Sequence, residues 1–311
     1  MLPISFLLAG FLLEFAVANH FESSIMQSMK VNIALMLTIL FWASAFVGIR
    51  YGLTVYTPGA MALLRFIVAS LCMLLIYTRV KDKKVMPWQD RLPLMLIGVS
   101  GIGIYNIALN YGELTVSAGV ASFLVGLIPV ITALLSVFFL KERLTGMGWL
   151  GIAVSMFGLS LLTLGEAQET SFDQGVLFVM IAVLVGAGYH IFSKRFLSRY
   201  HPVVVTAWII WGGTAFLLMF LPALAHELPQ ADWHATLAII YMGIFPAAIA
   251  YLAWSYVLHH LPASTAAMSL FSLPLLSTAM GFILLHEVPT TLSLLGGLLA
   301  LFGSFIAGRV R

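Results

Sequence analysis

Residues 129–142 read "PVITALLSVFFLKE" and residues 274–287 read "PLLSTAMGFILLHE". Each stretch opens on a proline, crosses a run of apolar residues and stops on a glutamate. The step from Pro129 to Pro274 is 145 residues, and so is the step from Glu142 to Glu287. The same interval joins Gly151 to Gly296, Gly158 to Gly303, Ala118 to Ala263, Ala108 to Ala253, Tyr111 to Tyr256 and, in a looser register, Arg50 to Arg195. A composition this biased supplies some Ala and Gly coincidences by chance. The ordered set of proline, glutamate and glycine is harder to dismiss, so the second half of the chain repeats the first.

The repeated material is built for lipid. Of 311 residues, 61% are hydrophobic and 9% charged, against about 25% charged in a soluble domain. Mean hydropathy is +1.05. A spanning helix needs about 20 apolar residues, and the apolar runs have that length. The punctuation between them predicts ten helices, at 31–50, 57–78, 92–111, 115–140, 146–165, 175–194, 202–223, 235–258, 262–285 and 290–308. The loops are short, which leaves no room for an inserted soluble domain. The single cysteine, Cys72, excludes an internal disulfide and a multi-thiolate metal site.

Basic residues near span ends stay cytoplasmic. With ten spans and the start inside, Lys30, Arg79, Lys81, Lys83, Lys84, Arg91, Lys141, Arg143, Lys194, Arg195, Arg199, Arg309 and Arg311 all fall on the inner side, thirteen of the fifteen Lys and Arg. Arg50 and Arg65 lie within or at the end of spans, and the outer loops hold none. Both termini are therefore expected in the cytoplasm. Five spans per repeat is an odd number, so the second copy must enter the membrane from the opposite side. The expected fold is an all-α integral membrane protein of ten transmembrane helices in two inverted five-helix repeats, over residues 30–165 and 174–311. Residues 1–29 fit neither a signal peptide, which wants a basic start, nor a further span. They are expected to be a peripheral or dispensable extension, with "MKVNIAL" from Met29 reading as a natural start.

Several stretches carry a resemblance. "LFWASAFVGIR" in the first helix, "LLRF" at 63–66, "ALNYGELTVSAGVASFLVGLIPV" at 108–130, "FLKERLTGMGWLGIAVSMFG" at 139–158 and the weaker copy at 263–303 resemble the drug/metabolite transporter superfamily, in particular its ten-helix EamA-type exporters. The resemblance covers about 31–308. It implies a bacterial inner-membrane exporter of amino acids or similar metabolites. "HEVP" at 286–289 and "AGYH" at 187–190 depart from the family pattern.

An inverted repeat is the architecture of many secondary transporters, whose site lies where the repeats meet. Pro129 and Pro274 fall inside repeat-partner helices, where a proline removes a backbone hydrogen bond. They read either as flexible hinges beside a central cavity or as static kinks. Ser269 and Ser272 share a face with Thr265, for substrate bonding or for bonding to backbone carbonyls. Trp42, Tyr105, Tyr189, Tyr251 and Trp254 lie deep enough to line a cavity or to be packing. Asn106 and Asn110 read as substrate ligands or helix bridges, bridging being the safer reading for Asn110. His190 is the one histidine well inside a span, able to bind, to exchange a proton or simply to sit near the interface. Ser44 joins these on the first helix. Arg65 reads as snorkelling or pairing with Glu113 before it reads as an anion ligand. Glu142 and Glu287 read as acids that fix tight turns, with Thr145 or Thr290 capping the helix that follows.

The residues imply a carrier. No Walker A motif is present, "HE" at 286–287 lacks a second histidine and "HH" at 259–260 lies at a loop, so no catalytic residue, cofactor or metal site is assigned. The expected partners are a small-molecule substrate and the lipid bilayer, with no nucleic acid. A homo-oligomer, and a channel or membrane-embedded enzyme using the same cavity, stay open.

Overall fold

A computed structural model of the chain describes residues 4–81, 85–115, 124–166, 174–285 and 290–309. Among these residues the chain is helical, with no strand. Among the described residues, seven helices are long and apolar enough to cross a membrane: Met26–Gly52, Pro58–Arg79, Trp88–Gly112, Gln174–Leu197, Pro202–Gln230, Trp233–His260 and Ala263–Met280. Three shorter apolar stretches, Ile128–Leu140, Gly146–Leu161 and Leu294–Ala307, fall where three further spans were expected.

In chain order the elements are α1 (Ile4–Gly52), α2 (Pro58–Arg79), α3 (Trp88–Gly112), α4 (Ile128–Leu140), α5 (Gly146–Glu166), α6 (Gln174–Leu197), α7 (Pro202–Gln230), α8 (Trp233–His260), α9 (Ala263–Leu285) and α10 (Thr291–Arg309). At 1.5 Å per residue, α1 is roughly 73 Å long, well beyond a hydrocarbon core of about 30 Å. It runs without a break past Lys30. The starts of α2 and α7 follow from proline at the first helical position, where its missing N–H costs nothing. The carboxylate of Glu227 at the end of α7 accepts from the Thr57 backbone N–H (2.9 Å) and hydroxyl (2.8 Å) in front of α2.

Regular helix gives way at repeat-matched places. In α3 the turns over Val99–Ile104 widen to i→i+5 bonding, and in α8 the turns over Gly243–Ile249 do the same. Adding 145 to 99–104 gives 244–249. Glycines in the first copy and Pro246 in the second loosen the backbone there. The turn of backbone just before Pro129 leaves regular helix at 126–127, and α9 tightens to a 3-10 turn over Ser269–Ser272 just before Pro274. A broken helix inside a bilayer must have its freed backbone groups satisfied by protein. The indole N–H of Trp42 donates to the Pro246 carbonyl (3.1 Å), and the Ser304 hydroxyl donates to the Met268 carbonyl (2.6 Å).

Glycines set the closest helix crossings. A Cβ on Gly151 would lie 2.6 Å from the Gly303 carbonyl oxygen, and one on Gly158 2.6 Å from that of Gly296. Rising numbers on α5 meet falling numbers on α10, so the two helices run antiparallel with their backbones nearly touching. The Ser155 hydroxyl donates across the contact to the Ala300 carbonyl (2.9 Å). Small residues at such seams are how helices associate closely in lipid. Gly98 of α3 makes an equivalent approach to α7, and Gly243 of α8, 145 residues on, makes it to α2.

Candidate functional site

A cleft opens between α1, α2, α3, α6, α8 and α9, with about 830 Å³ of empty space when its open mouth is counted. From α1 it is lined by Trp42, Ala45, Phe46 and Ile49, from α2 by Arg65, and from α3 by Gly101, Tyr105, Asn106 and Leu109. Val125, Gly126 and Ile128 come from the first part of the α4 region, Gly186, Tyr189 and His190 from α6, Tyr251 from α8, and Leu270, Leu273 and Pro274 from α9. The pairs Ala45 and His190, Asn106 and Tyr251, Val125 and Leu270, and Ile128 and Leu273 are each 145 apart. The cleft therefore lies on the seam between the two copies.

One wall is aromatic. Trp42 meets Tyr251 edge-on at 5.4 Å between ring centroids, and Tyr251 meets Tyr189 at 5.6 Å. Such tilted and edge-to-face pairs suit the ring quadrupoles. Behind them lies Trp254, fully buried, 5.5 Å from Trp42 and 4.9 Å from the His190 ring. His190 is itself buried and its Nδ1 lies 3.3 Å from the Thr132 hydroxyl of α4. That bond fixes the imidazole between α4 and α6.

The other wall is polar and holds a cation. Asn106 follows the widened turn of α3, and its Nδ2 donates to the Ile102 carbonyl inside that turn (2.8 Å). This leaves Oδ1 facing Arg65, whose Nη1 donates to it (3.2 Å). Arg65 is only 6% exposed. Among the described residues no carboxylate pairs with it, so the expected Arg65–Glu113 contact gives way to Asn106.

The positions read from the sequence divide. Trp42, Tyr105, Asn106, Tyr189, His190, Tyr251 and Pro274 come together around the cleft. Trp254 stands one ring behind it. Ser44 does not line it: its hydroxyl bonds to the Phe41 carbonyl (2.8 Å) and the Tyr241 hydroxyl (3.0 Å). Ser269 and Ser272 donate to carbonyls three residues back, of Ala266 (2.7 Å) and Ser269 (2.6 Å). These hydroxyls satisfy their own tightened turn instead of facing the cleft. Pro129 lies beside it without lining it, one residue past Ile128. Asn110 bridges α3 to the Pro58 carbonyl at the start of α2 (3.1 Å). Sequence reasoning passed over Arg65 as a lining residue. The signal available was a charge two turns inside a span, which is costly in lipid and marks function by default.

Glu142 also acts elsewhere than expected. Its carboxylate reaches across to the first turn of α9 and accepts from the Ala263 N–H (2.8 Å), the Ser264 N–H (3.0 Å) and the Ser264 hydroxyl (2.5 Å). Lys141 beside it takes the left-handed conformation, φ 57°. Thr145 accepts from the Gly148 N–H (3.2 Å) at the start of α5. Glu287, its repeat partner, lies outside the described residues.

Known proteins match this chain along nearly its whole length. The model of the EamA-like transporter family matches it twice, over residues 29–164 and 173–309. The chain belongs to the EamA-like transporter family. It is thus a multi-pass membrane transporter of the drug/metabolite transporter superfamily, carrying two copies of the family's domain. An uncharacterized transporter, YdfC, of Bacillus subtilis is 38% identical over 277 residues, 89% of this chain and 90% of its own length. A probable terminal-alkyne amino-acid exporter of Streptantibioticus cattleyicolor is 35% identical over 287 residues, 91% of this chain and 95% of its own. A probable amino-acid metabolite efflux pump of Escherichia coli K12 is 25% identical over 297 residues, 90% of this chain and 95% of its own. A solved crystal structure superposes with a TM-score of 0.75 at 20% identity, covering 91% of this chain and 99% of that one, which is a likeness of fold.

Proposed function

We propose that this family member is a secondary carrier that exports small organic metabolites, amino acids or related compounds, by alternating access across the bacterial inner membrane. In this reading ten spans form two inverted five-helix repeats, residues 30–165 and 174–311, with both termini cytoplasmic and residues 1–29 an extension outside the bundle. The observation that carries it is the cleft itself: it lies on the seam between the copies and is lined by repeat-matched pairs. A site so placed can be opened to either compartment by rocking one copy against the other. The antiparallel α5–α10 seam, closed by matched glycines, supports the inverted arrangement. Pro129 and Pro274, just past the irregular turns, are the proposed hinges. The amino-acid class is supported by the names of two relatives, an amino-acid exporter and an amino-acid metabolite efflux pump.

Two measurements test the reading. Purified protein in liposomes preloaded with unlabelled L-leucine, L-phenylalanine or L-norvaline should accumulate the labelled form of at least one by counterflow, and the uptake should saturate. Linear, unsaturable flux without counterflow means a channel, and consumption of the solute means an enzyme. Single-cysteine labelling should place the "KERLTG" turn at 141–146 and the "LHEVPTT" turn at 285–291 on opposite faces. Labelling of both from one side would defeat the inverted arrangement.

A further inference from the structure

We propose that Arg65 is the oxyanion receptor of the cleft, so that the transported solute must carry a carboxylate, held by the guanidinium against Asn106. The inference rests on the reading of the cleft as the transport site. A guanidinium carries five N–H donors and no acceptor. Among the described residues Arg65 has one hydrogen bond, to Asn106 Oδ1, and its buried Nε has no partner. The side chain is more than nine-tenths buried. A buried charge held by so few hydrogen bonds is expensive, and the side chain lines the cleft.

What surrounds the cation decides the sign and shape of its missing partner. Among the described residues no aspartate or glutamate lines the cleft, and Arg65 is the one lining side chain with a permanent charge. Glu113 is near enough to act on it electrostatically, and among the described residues the two form no ion pair. Asn106 is tied by its Nδ2 to the Ile102 carbonyl, so its Oδ1 holds Nη1 in place. The fork is oriented before any solute arrives, and it suits the planar, bidentate geometry of a carboxylate. An ammonium group meets no carboxylate here. The electron-rich faces of Trp42 and Tyr251 are what the cleft offers it. The carboxylate is therefore the selected group, and the apolar wall takes the side chain.

The probe set is L-leucine, its methyl ester and its decarboxylated amine, isopentylamine, each tested as a competitor in counterflow and by quenching of tryptophan fluorescence. L-leucine should bind at least about tenfold more tightly than the ester or the amine. Arg65→Gln should lose that preference and weaken L-leucine binding at least about tenfold, while Arg65→Lys, a point charge without the fork, should fall between. Asn106→Leu is the second variant: it leaves the charge and removes its positioning bond, and it should reduce the preference without abolishing it. Equal affinity for acid, ester and amine in a protein that shows counterflow overturns the assignment and leaves the transport reading standing. So does an Arg65→Gln protein that folds and binds L-leucine with unchanged affinity. Counterflow absent with every metabolite removes the transport reading, and the assignment with it.

Discussion

Gly98→Val is expected to cost the protein at least about 3 kcal/mol of stability, at the upper end of what overpacking does. The added Cβ would lie 1.9 Å from the Ile209 carbonyl oxygen and 2.8 Å from the Gly213 backbone nitrogen. Both are helix backbone, not the end of a side chain that can swing away. Moving α7 off α3 would open the Gly212 contact with Met95 in the same step, since that contact is also backbone to backbone. Gly243→Val should show a related defect for the symmetry-related reason. Its Cβ would meet the Arg65 carbonyl oxygen at 2.7 Å and the Val68 Cβ at 2.6 Å on α2. Gly146→Val serves as the control, because nothing lies within 4 Å of the position where that Cβ would be. In detergent, the first two variants should lower the midpoint of thermal unfolding by roughly 5–10 °C or fail to purify as a single species. The control should stay within about 2 °C. A Gly98→Val protein as stable as the parent would mean that α3 and α7 do not cross where the structure has them.

That pair of glycines also shows what the sequence could and could not convey. The duplication was legible because Pro, Glu and Gly are chosen by backbone and packing constraints that both copies must meet, so the 145-residue interval survives there. Gly98 and Gly243 keep the same interval, but the sequence cannot name what they pack against, since a glycine in an apolar span looks alike whether it touches backbone, side chain or lipid. The widened turns of α3 and α8 left no readable mark either. A π-bulge changes the hydrogen-bond register without changing the composition, and Gly101 in one copy stands where Pro246 stands in the other. Around the cleft, buried aromatic and amide residues were findable because their polar ends need partners at depth. For the serines of α9 the sequence left two uses open, and their hydroxyls bond to backbone carbonyls. A hydroxyl one turn before a proline has a local use, bonding to a carbonyl of its own turn, and spacing alone cannot tell that use from a ligand's. Arg65 was set aside because snorkelling and pairing are the commoner fates of a charge in a span. Only the three-dimensional arrangement shows Asn106, not a carboxylate, beside it.

The second large effect concerns transport more than folding. Glu142→Ala is expected to slow L-leucine counterflow at least about tenfold, with a loss of stability of only about 2 kcal/mol. The carboxylate accepts three hydrogen bonds, two of them from the N–H groups of Ala263 and Ser264 at the start of α9. Those donors have no partner within their own helix, and negative charge is favoured at that end. Glu142 is partly exposed, which keeps the energy modest. Its leverage comes from position. It joins the end of α4 to the beginning of α9, and α9 delivers Leu270, Leu273 and Pro274 to the cleft. Freed of the clamp, the first segment of α9 can move as a unit about the irregular turn at Ser269–Ser272, and the lining residues beyond that turn lose their fixed aim. Glu142→Gln keeps one acceptor oxygen without the charge and should retain part of the rate, and Glu142→Asp should fall short of the second N–H and behave similarly. Ser264→Ala removes only the hydroxyl bond and should cost less than threefold. The rate, read as initial counterflow at saturating L-leucine, separates this role from a purely structural one. A structural role would lower the yield of folded protein while leaving the turnover of the folded fraction intact. Full turnover in folded Glu142→Ala would show that the tie between α4 and α9 takes no part in transport.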